Sequence, residues 1–309
     1  MKTALKASLK TPSTRRFAME HADRLLEELA DRIACASNAT GADEVHDLRV
    51  AIRRLKAVLK SLAPCFPGRE ARRVDLGLKR IMGLAGEVRN RDIGVELLVK
   101  MSGPAATPQV IRFENERVAA ASNLAKALQA IQRSGTPANW HNMLHKARKR
   151  QRTEQEFCVI PADATAARLL PEIADKHFKR GEKAATQKIS SRKLHRFRIA
   201  TKKFRYTLDL FAPFYGESVA NLISELKHIQ TLLGDLNDYE TIRGMVRSSA
   251  PESDEATQIS AEIRKKRQEK AAEFREHWRK AFCEERVTEW RSDLQRLARN
   301  GKIRAGSRP

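Results

Sequence analysis

The stretch HDLRVAIRRLKAVL at residues 46–59 returns, 149 positions later, as HRFRIATKKFRYTL at residues 195–208. Both stretches begin with histidine and carry cations at their fourth, eighth, ninth and eleventh positions, with apolar residues at the third and tenth. A pattern this specific, present twice in one chain, predicts that the protein is built from a duplicated unit.

The duplication continues beyond these stretches. Residues 78–86 match residues 226–234, with the same leucines, lysine and glycine, and a Trp and a Leu recur in residues 140–144 and 290–294. The register therefore drifts little along the chain. The sequence predicts one domain at 14–297, with a first half at about 14–158, a second half at about 162–297, and flexible ends at 1–13 and 298–309.

Apolar periodicity predicts helices along almost the whole chain, because apolar residues recur at the three- and four-residue spacing of a helix with one buried face. Gly and Pro collect between these segments, at 64–68, 102–108, 135–137, 161, 213–216 and 248–253. We therefore predict an all-α fold of two pseudo-symmetric four-helix-bundle halves. The predicted helices cover 17–35, 45–62, 76–84, 113–131, 140–147, 194–211, 222–233 and 263–297.

The first matched helix has a basic strip beside its apolar face. At 100° per residue, His46, Arg49, Arg53, Lys56 and Lys60 fall on one side. Exposed faces of ordinary globular proteins mix both signs, because like charges one turn apart repel. A strip of one sign therefore indicates selection for positive potential rather than a merely solvated face.

The second matched helix repeats the strip with His195, Arg198, Lys202 and Arg205, but it ends on Asp209, where the first helix has a cation. Asp209 either pairs within the strip or interrupts it. The matched positions keep positive charge while exchanging Arg and Lys, which favours a polyanion as the partner.

His46 and His195 both follow capping-type residues, which places them near a helix N-terminus. Helix N-termini favour anions, and a histidine there can donate to a phosphate oxygen and gain a proton when phosphate binds. Affinity for a polyanion should then rise as the pH falls from about 8 towards about 6. We expect the Lys and Arg of the strips to stay charged in this interval. A structural, hydrogen-bonded role for the histidines is the alternative.

Four more cations recur at matched positions. Lys79 and Lys227 lie on the third helix of each half, and Arg117 and Arg267 lie on a later helix, 150 positions apart. We expect all four to contribute anion contacts, with a plain surface role as the alternative for the two arginines.

The composition supports a polyanionic partner, since 60 Lys+Arg against 38 Asp+Glu give a net charge of +22. The chain has neither the long apolar run of a membrane helix nor the short one of a signal peptide. Its four cysteines are far apart, so they predict no zinc site and no disulfide framework. These features favour the cytoplasm and no membrane partner.

The doubled motif resembles that of the CHAD family, the conserved histidine α-helical domain. The family pattern is His-x-x-Arg-Val-x-x-Arg-Arg-Leu-Arg/Lys, followed by a turn of the Leu-Gly-x-x-Arg/Asn-Asp type, and both elements occur twice here. They lie at 46–56 with 86–92 and at 195–205 with 234–238, although 89–92 departs from the pattern with Arg-Asn-Arg-Asp. We still expect a helix junction there. The resemblance covers about 14–297.

The resemblance implies two helical bundles whose histidines and cations line a basic central groove or cavity that binds inorganic polyphosphate, and association with polyphosphate granules. Many family members add an N-terminal CYTH domain, for which this chain has no room, so the activity of that domain is not implied. The resemblance assigns polyphosphate binding to His46, Arg49, Arg53, Lys56, Lys79, His195, Arg198, Lys202, Arg205 and Lys227.

No catalytic signature accompanies these residues. His46-Asp47 could suggest a metal phosphohydrolase, but the matched pair is His195-Arg196, and the helical wheel turns Asp47 about 100° away from His46. We predict binding without catalysis, cofactor or metal. Two alternatives remain open: a basic helical protein that binds nucleic acid, and a helical scaffold for an acidic protein partner. A polyphosphate binder would also bind nucleic acid weakly at low salt.

Overall fold

The computed structural model describes residues 11–102, 108–147, 151–186, 190–249 and 254–306. These residues form eleven α-helices and three short 3₁₀ turns, and their only strand-like pairing is one bridge between Ser13 and Pro161. The all-α prediction is confirmed. The helices are α1 Thr14–Asn38, α2 Ala42–Ser61, α3 Gly68–Ser102, α4 Pro108–Arg133, α5 Thr136–His145, α6 Arg152–Val159, α7 Ala162–Ala184, α8 Ser191–Phe211, α9 Ala220–Ser249, α10 Asp254–Ala281 and α11 Glu284–Gly306.

The two matched stretches form α2 and α8. Helix α2 has acidic residues in its first turn and Lys60 in its last, which complements the helix dipole. Its apolar stripe is fully buried, with Leu48, Ile52 and Leu55 at 0% exposure. Helix α8 buries Phe197, Phe204 and further residues in the same way. Burial of these stripes leaves the basic strips on the flanks of both helices.

The packing order repeats along the chain. Helix α2 packs against α1 and α3, and α4 packs against α3 and α1; helix α8 packs against α7 and α9, and α10 packs against α9. The matched helices also meet, α2 against α8 and α3 against α9. Ser61 and Thr207 share a hydrogen bond of 2.9 Å between their hydroxyl oxygens, which joins α2 to α8. The strips are thereby brought to a common interface.

The starts of α1 and α7 are joined by reciprocal backbone hydrogen bonds. The N–H of Thr14 donates to the carbonyl of Ile160 at 2.8 Å, and the N–H of Ala162 donates to that of Pro12 at 3.0 Å. The hydroxyl oxygens of Thr14 and Thr165 lie 2.6 Å apart in a buried position. The segment before α1 and the segment before α7 therefore pair through their backbones, although they lie far apart in the sequence.

The predicted turns at 86–92 and 234–238 are wrong, because both segments lie inside continuous helices, α3 and α9. Glycine breaks a helix only when nothing compensates for its conformational freedom, which weakens a helix by about 1 kcal/mol per residue. The helix predicted over 263–297 is in fact two, α10 and α11, and α11 continues to Gly306, beyond the predicted domain end at 297.

Two helices, α6 and α7, were not among the predicted segments. Helix α7 buries Leu170 and Phe178 together with several alanines, Gly181 and His177, and it contains Pro171, a residue that usually ends a helix. His177 is 2% exposed and stacks on Phe197 with ring centroids 5.0 Å apart. Burial lowers its pKa to about 3, so the ring is neutral in the core. Of the other predicted features, 103–107, 250–253, 1–10 and 307–309 lie outside the described residues.

Candidate polyanion-binding site

The centres of the two basic strips face each other across the contact between α2 and α8. The charges of Arg53 and Arg198 both act on Arg49, and those of all three arginines act on Lys202. We call Arg49, Arg53, Arg198 and Lys202 the central cationic cluster. The charge of Arg89, from α3, also acts on Arg49. The structure thus brings together four predicted residues whose matched pairs lie 149 positions apart.

The central cationic cluster lacks neutralising partners among the described residues. None of its four members forms an ion pair with them, and Nε of Arg198 is buried without a hydrogen-bond partner. The charge of Asp238 on α9 acts on Arg49, Arg198 and Lys202. One carboxylate facing three charged arginines and Lys202 leaves a local excess of positive charge.

Burial has a large effect on these groups. It lowers the pKa of Lys202 to about 6, with the charges of the neighbouring arginines adding to the shift, and it lowers the pKa of Arg49 to about 10. It also lowers the pKa of Arg198 and raises that of Asp238, although Arg198 favours the charged carboxylate. Lys202 is therefore mostly neutral at pH 7 in the free protein. The expectation that every strip cation stays charged between pH 8 and pH 6 is wrong for this residue.

Gly86 allows the Arg49 guanidinium to lie close to α3. A Cβ atom at position 86 would lie 3.2 Å from Nη1 of Arg49, so a larger side chain would displace it. The matched Gly234 has no neighbouring atom within 4 Å of such a position. Gly86 therefore allows the Arg49 side chain to approach α3 closely, whereas the matched Gly234 borders open space.

The far ends of the strips carry their own carboxylates. Lys56 pairs with Asp75 of α3, and Nη1 of Arg205 pairs with Oδ2 of Asp209 at 2.8 Å. Nε of Arg205 donates to Gln230 at 2.9 Å. Asp209 therefore pairs within the second strip, which answers the question left open by the sequence.

The two motif histidines differ in their surroundings. Both are exposed. Nδ1 of His195 lies 2.8 Å from Oδ1 of Asn237, and His195 lines a depression of about 280 Å³ between α8, α9 and α10. No hydrogen bond of His46 to another described residue exists. His195 is thus hydrogen-bonded through Nδ1, and neither its Nε2 nor either nitrogen of His46 has a hydrogen-bond partner among the described residues.

The remaining predicted lysines lie at the periphery. Lys60, Lys79 and Lys227 are exposed and form no ion pair with the described residues. The charge of Lys227 acts on Asp209, which places it beside the end of the second strip. These lysines can contact a ligand that extends beyond the centre.

Arg117 of α4 is held by other groups. Its Nε lies 2.6 Å from Oδ1 of Asp92 on α3, and its Nη2 donates to the carbonyl of Thr40 at 2.7 Å. Thr40 lies just before Gly41, the N-cap of α2. Arg117 therefore fixes the start of the helix that carries the first strip, rather than adding to the central cationic cluster.

Arg267 of α10 does the same in the second half. Its Nε lies 3.2 Å from Oε2 of Glu240 on α9, and its Nη2 donates to Ser191, the first residue of α8, at 2.7 Å. The matched arginines thus share a positioning role, tying the start of each basic helix to the helix that follows it.

Sequence reasoning missed Arg89 and Asp238 as members of the site. Both lie in the segments interpreted as turns, and the duplication gave no support, because Asn237 matches Arg89 and Asn90 matches Asp238. A continuous helix through these segments would have placed them one turn beyond Gly86 and Gly234, on the face toward the strips. Helical continuity was the signal that could have found them.

Comparison with known proteins identifies the family. The family model of the CHAD domain matches residues 20–247. The chain belongs to the CHAD domain family. The matched residues lie within the predicted domain at 14–297 and include both motif helices.

This CHAD domain is similar to two solved structures. The crystal structure of the CHAD domain from the plant Ricinus communis aligns with a TM-score of 0.64 and 17% identity, covering 95% of this chain and 96% of that one. PptA from Streptomyces chartreusis aligns with a TM-score of 0.61 and 13% identity, covering 88% and 99%. At these identities the likeness concerns the fold. No curated protein matches the sequence significantly.

Within the described ranges, no helix of this CHAD domain is both long enough and apolar enough to cross a membrane. The apolar surfaces of α2 and α8 are instead used inside the protein, against neighbouring helices.

Proposed function

We propose that this CHAD domain binds inorganic polyphosphate at the central cationic cluster and does not turn it over. The observation that carries the proposal is the set of four half-buried cations, drawn from both matched helices, without an ion-pair partner among the described residues. Burial of like charges is unfavourable unless an anion neutralises them. A bound polyanion would supply the missing negative charge.

The extent of the strips favours a chain of phosphates over a single phosphate. From His46 to Lys60 the first strip runs about 21 Å along α2, at 1.5 Å per residue. We further propose that the two pseudo-symmetric halves line one basic groove, with the second strip on its opposite wall. Two copies of one strip suit a ligand that is itself a repeat of identical charged units.

The surroundings of the cluster do not favour nucleic acid. Proteins that bind single strands stack bases on accessible aromatic rings. All aromatic residues of this chain lie in the described part, and none of their side chains is exposed. Binding of nucleic acid would therefore rest on phosphate contacts alone, which makes it weak and steeply dependent on salt.

The acidic residues favour binding over hydrolysis. Enzymes that cleave phosphoanhydrides hold Mg²⁺ with carboxylates beside the phosphates. In the central cationic cluster Asp238 is the one described carboxylate whose charge acts on the cations. We propose that Asp238 limits repulsion in the free protein. Association with polyphosphate granules would follow from binding and is part of the proposal.

The test is a charge reversal with a matched control. The site variant replaces Arg49, Arg53, Arg198 and Lys202 with Glu, and the control makes the same change at the exposed residues Lys126, Arg133, Arg168 and Arg279. Both variants lose the same net charge. We expect long-chain polyphosphate affinity, measured by calorimetry at fixed ionic strength, to fall about 1,000-fold or more in the site variant and far less in the control.

Circular dichroism is used to check that both variants keep their helical content. A helical site variant that still binds polyphosphate as the control does would refute the assignment. Competition separates the alternatives: polyphosphate should displace duplex DNA at equal phosphate concentration, and DNA should not displace polyphosphate. If neither polyphosphate nor DNA binds, a helical scaffold for an acidic protein partner becomes the better hypothesis.

A further inference from the structure

Asp23 of α1 faces two histidines of α5, on a part of the molecule that the proposed function does not use. Nε2 of His145 lies 2.7 Å from Oδ1 of Asp23, and Nε2 of His141 lies 3.4 Å from the same oxygen. The rings of His141 and His145 stack with centroids 4.2 Å apart. One ligand atom from each residue lies within 4.8 Å of the others.

We propose that Asp23, His141 and His145 form a binding site for a divalent transition-metal ion of the zinc class, which joins α5 to α1. Histidines four residues apart lie on the same face of a helix, the spacing that zinc sites use. Imidazole nitrogen and carboxylate oxygen are ordinary zinc ligands at about 2.0–2.2 Å. Three protein ligands leave the fourth position for water.

The distances suit this coordination. In a tetrahedral site with bonds of about 2.0–2.1 Å, neighbouring ligand atoms are separated by about 3.3 Å. The separation of 3.4 Å between His141 and Asp23 already matches this value. The 2.7 Å contact between His145 and Asp23 would open by about half an ångström. All three side chains are partly exposed, so an ion can reach them from solvent.

The equivalent position in the second half of the chain holds an arginine–aspartate ion pair instead of two histidines and an aspartate. There Trp290 is followed by Arg291, as Trp140 is followed by His141, and Arg291 pairs with Asp175 of α7 at 2.7 Å. The first half thus keeps the aspartate but replaces the arginine with histidine and adds a second histidine one turn on. An ion pair alone needs neither change, whereas a metal site needs both.

The sequence predicted no metal site, because Asp23 lies 118 positions before His141 and nothing in the motif links them. Only the packing of α5 on α1 brings them together. The site is built from residues outside the histidine-cation motif, so its test is independent of polyphosphate binding.

The experiment titrates the purified full-length chain with Zn²⁺, without polyphosphate, which itself chelates divalent cations. Calorimetry and equilibrium dialysis should show one saturable site, and Zn²⁺ should raise Tm. His141→Ala and Asp23→Ala should each weaken binding at least about 100-fold, since loss of an outer partner alone costs 10–100-fold. The control His228→Ala/His277→Ala removes the other close histidine pair, with centroids 4.1 Å apart, and should leave this site intact.

A further variant separates a metal site from an ion pair. His141→Arg restores the arrangement of Arg291 with Asp175, so it should keep the Tm of the metal-free protein while abolishing the rise with Zn²⁺. The proposal is overturned if the wild-type chain shows no saturable Zn²⁺ binding. It is equally overturned if His141→Arg binds Zn²⁺ as the wild type does, or if only the His228→Ala/His277→Ala control loses the site.

Discussion

Helices α2 and α8 carry the same pattern of cations but hold its outer members differently. In α2, Lys56 pairs with a carboxylate from the next helix, whereas in α8, Arg205 pairs with Asp209 one turn further along its own helix. At the centre the basic residues of both helices form no ion pair with any residue that the structure describes. The comparison teaches that the ends of the strips have been adjusted locally, while the centre keeps its excess charge in both copies.

The largest effect should come from removing the centre of one strip at a time. We expect Arg49→Gln/Arg53→Gln and Arg198→Gln/Lys202→Gln each to lower polyphosphate affinity roughly 100-fold, since contacts to charged groups contribute about 1.5 kcal/mol or more. The slope of log affinity against log salt should fall by about 1.5 in each variant. If only one of the two double variants lowers the affinity, one strip binds polyphosphate alone and the two helices do not share one ligand.

Replacing Lys202 should stabilise the free protein. Its pKa is about 6 when folded, against 10.5 in the unfolded chain, so between these values the unfolded state binds more protons and stability rises with pH. The penalty is greatest at and below about pH 6 and disappears towards about pH 10.5. Lys202→Met should therefore raise the free energy of unfolding at pH 7 by a few kcal/mol, less than the roughly 5 kcal/mol that the full pKa difference gives at that pH because Lys202 is partly exposed, and by less at pH 10.

Urea denaturation at pH 6, 8 and 10 measures this effect, and the control is Lys203→Met, at an exposed neighbouring position of α8. Equal effects of the two substitutions at every pH would contradict the desolvation of Lys202.

The pH dependence of binding should divide between Lys202 and the motif histidines. Bound phosphates favour the charged forms, so binding takes up protons and affinity rises as the pH falls from about 8 towards 6, by at most about tenfold per pH unit for each proton. Lys202→Arg should remove part of this slope, and His46→Ala/His195→Ala another part. A slope undiminished in the histidine double variant would establish a structural role for both histidines.

The smallest effect concerns Asp209. Asp209→Lys gives α8 the cation that α2 carries at the matched position and releases Arg205 from its ion pair. We expect polyphosphate affinity to rise about 2–5-fold, the size of a peripheral charge contact, with Asp209→Asn intermediate. Affinity that falls instead would show that Asp209 orients Arg205 toward the ligand.

The sequence predicted, in whole or in part, nine of the eleven helices of the described residues, together with the cations that repeat. Arg49 and Arg198 could be identified because the duplication gave each of them a counterpart, and the stripe beside them fixed the face on which they lie. Helix α7 was not predicted although Leu170 and Phe178 lie on its buried face, and Pro171 inside it is a residue typical of a helix break.

The remaining errors have a common physical cause. The continuation of α3 and α9 through Gly86 and Gly234 depends on the packing of both helices against their neighbours. The pKa of Lys202 depends on burial and on charged groups of α2, α8 and α9. Whether Asp209 pairs with Arg205 depends on the rotamers that packing allows to both side chains. Each is a property of packing between segments far apart in the chain, which local periodicity does not contain.

The reciprocal hydrogen bonds at the starts of α1 and α7 make the start of each helix depend on a segment far away in the chain. Thr14 takes its backbone acceptor from the segment before α7, and Ala162 takes its own from the segment before α1. Such an exchange of equivalent groups is the pattern of an isologous contact between identical subunits. We expect a chain that encodes one half alone to need a second copy of itself for these two hydrogen bonds, whereas the covalent link in the present chain supplies them at any concentration.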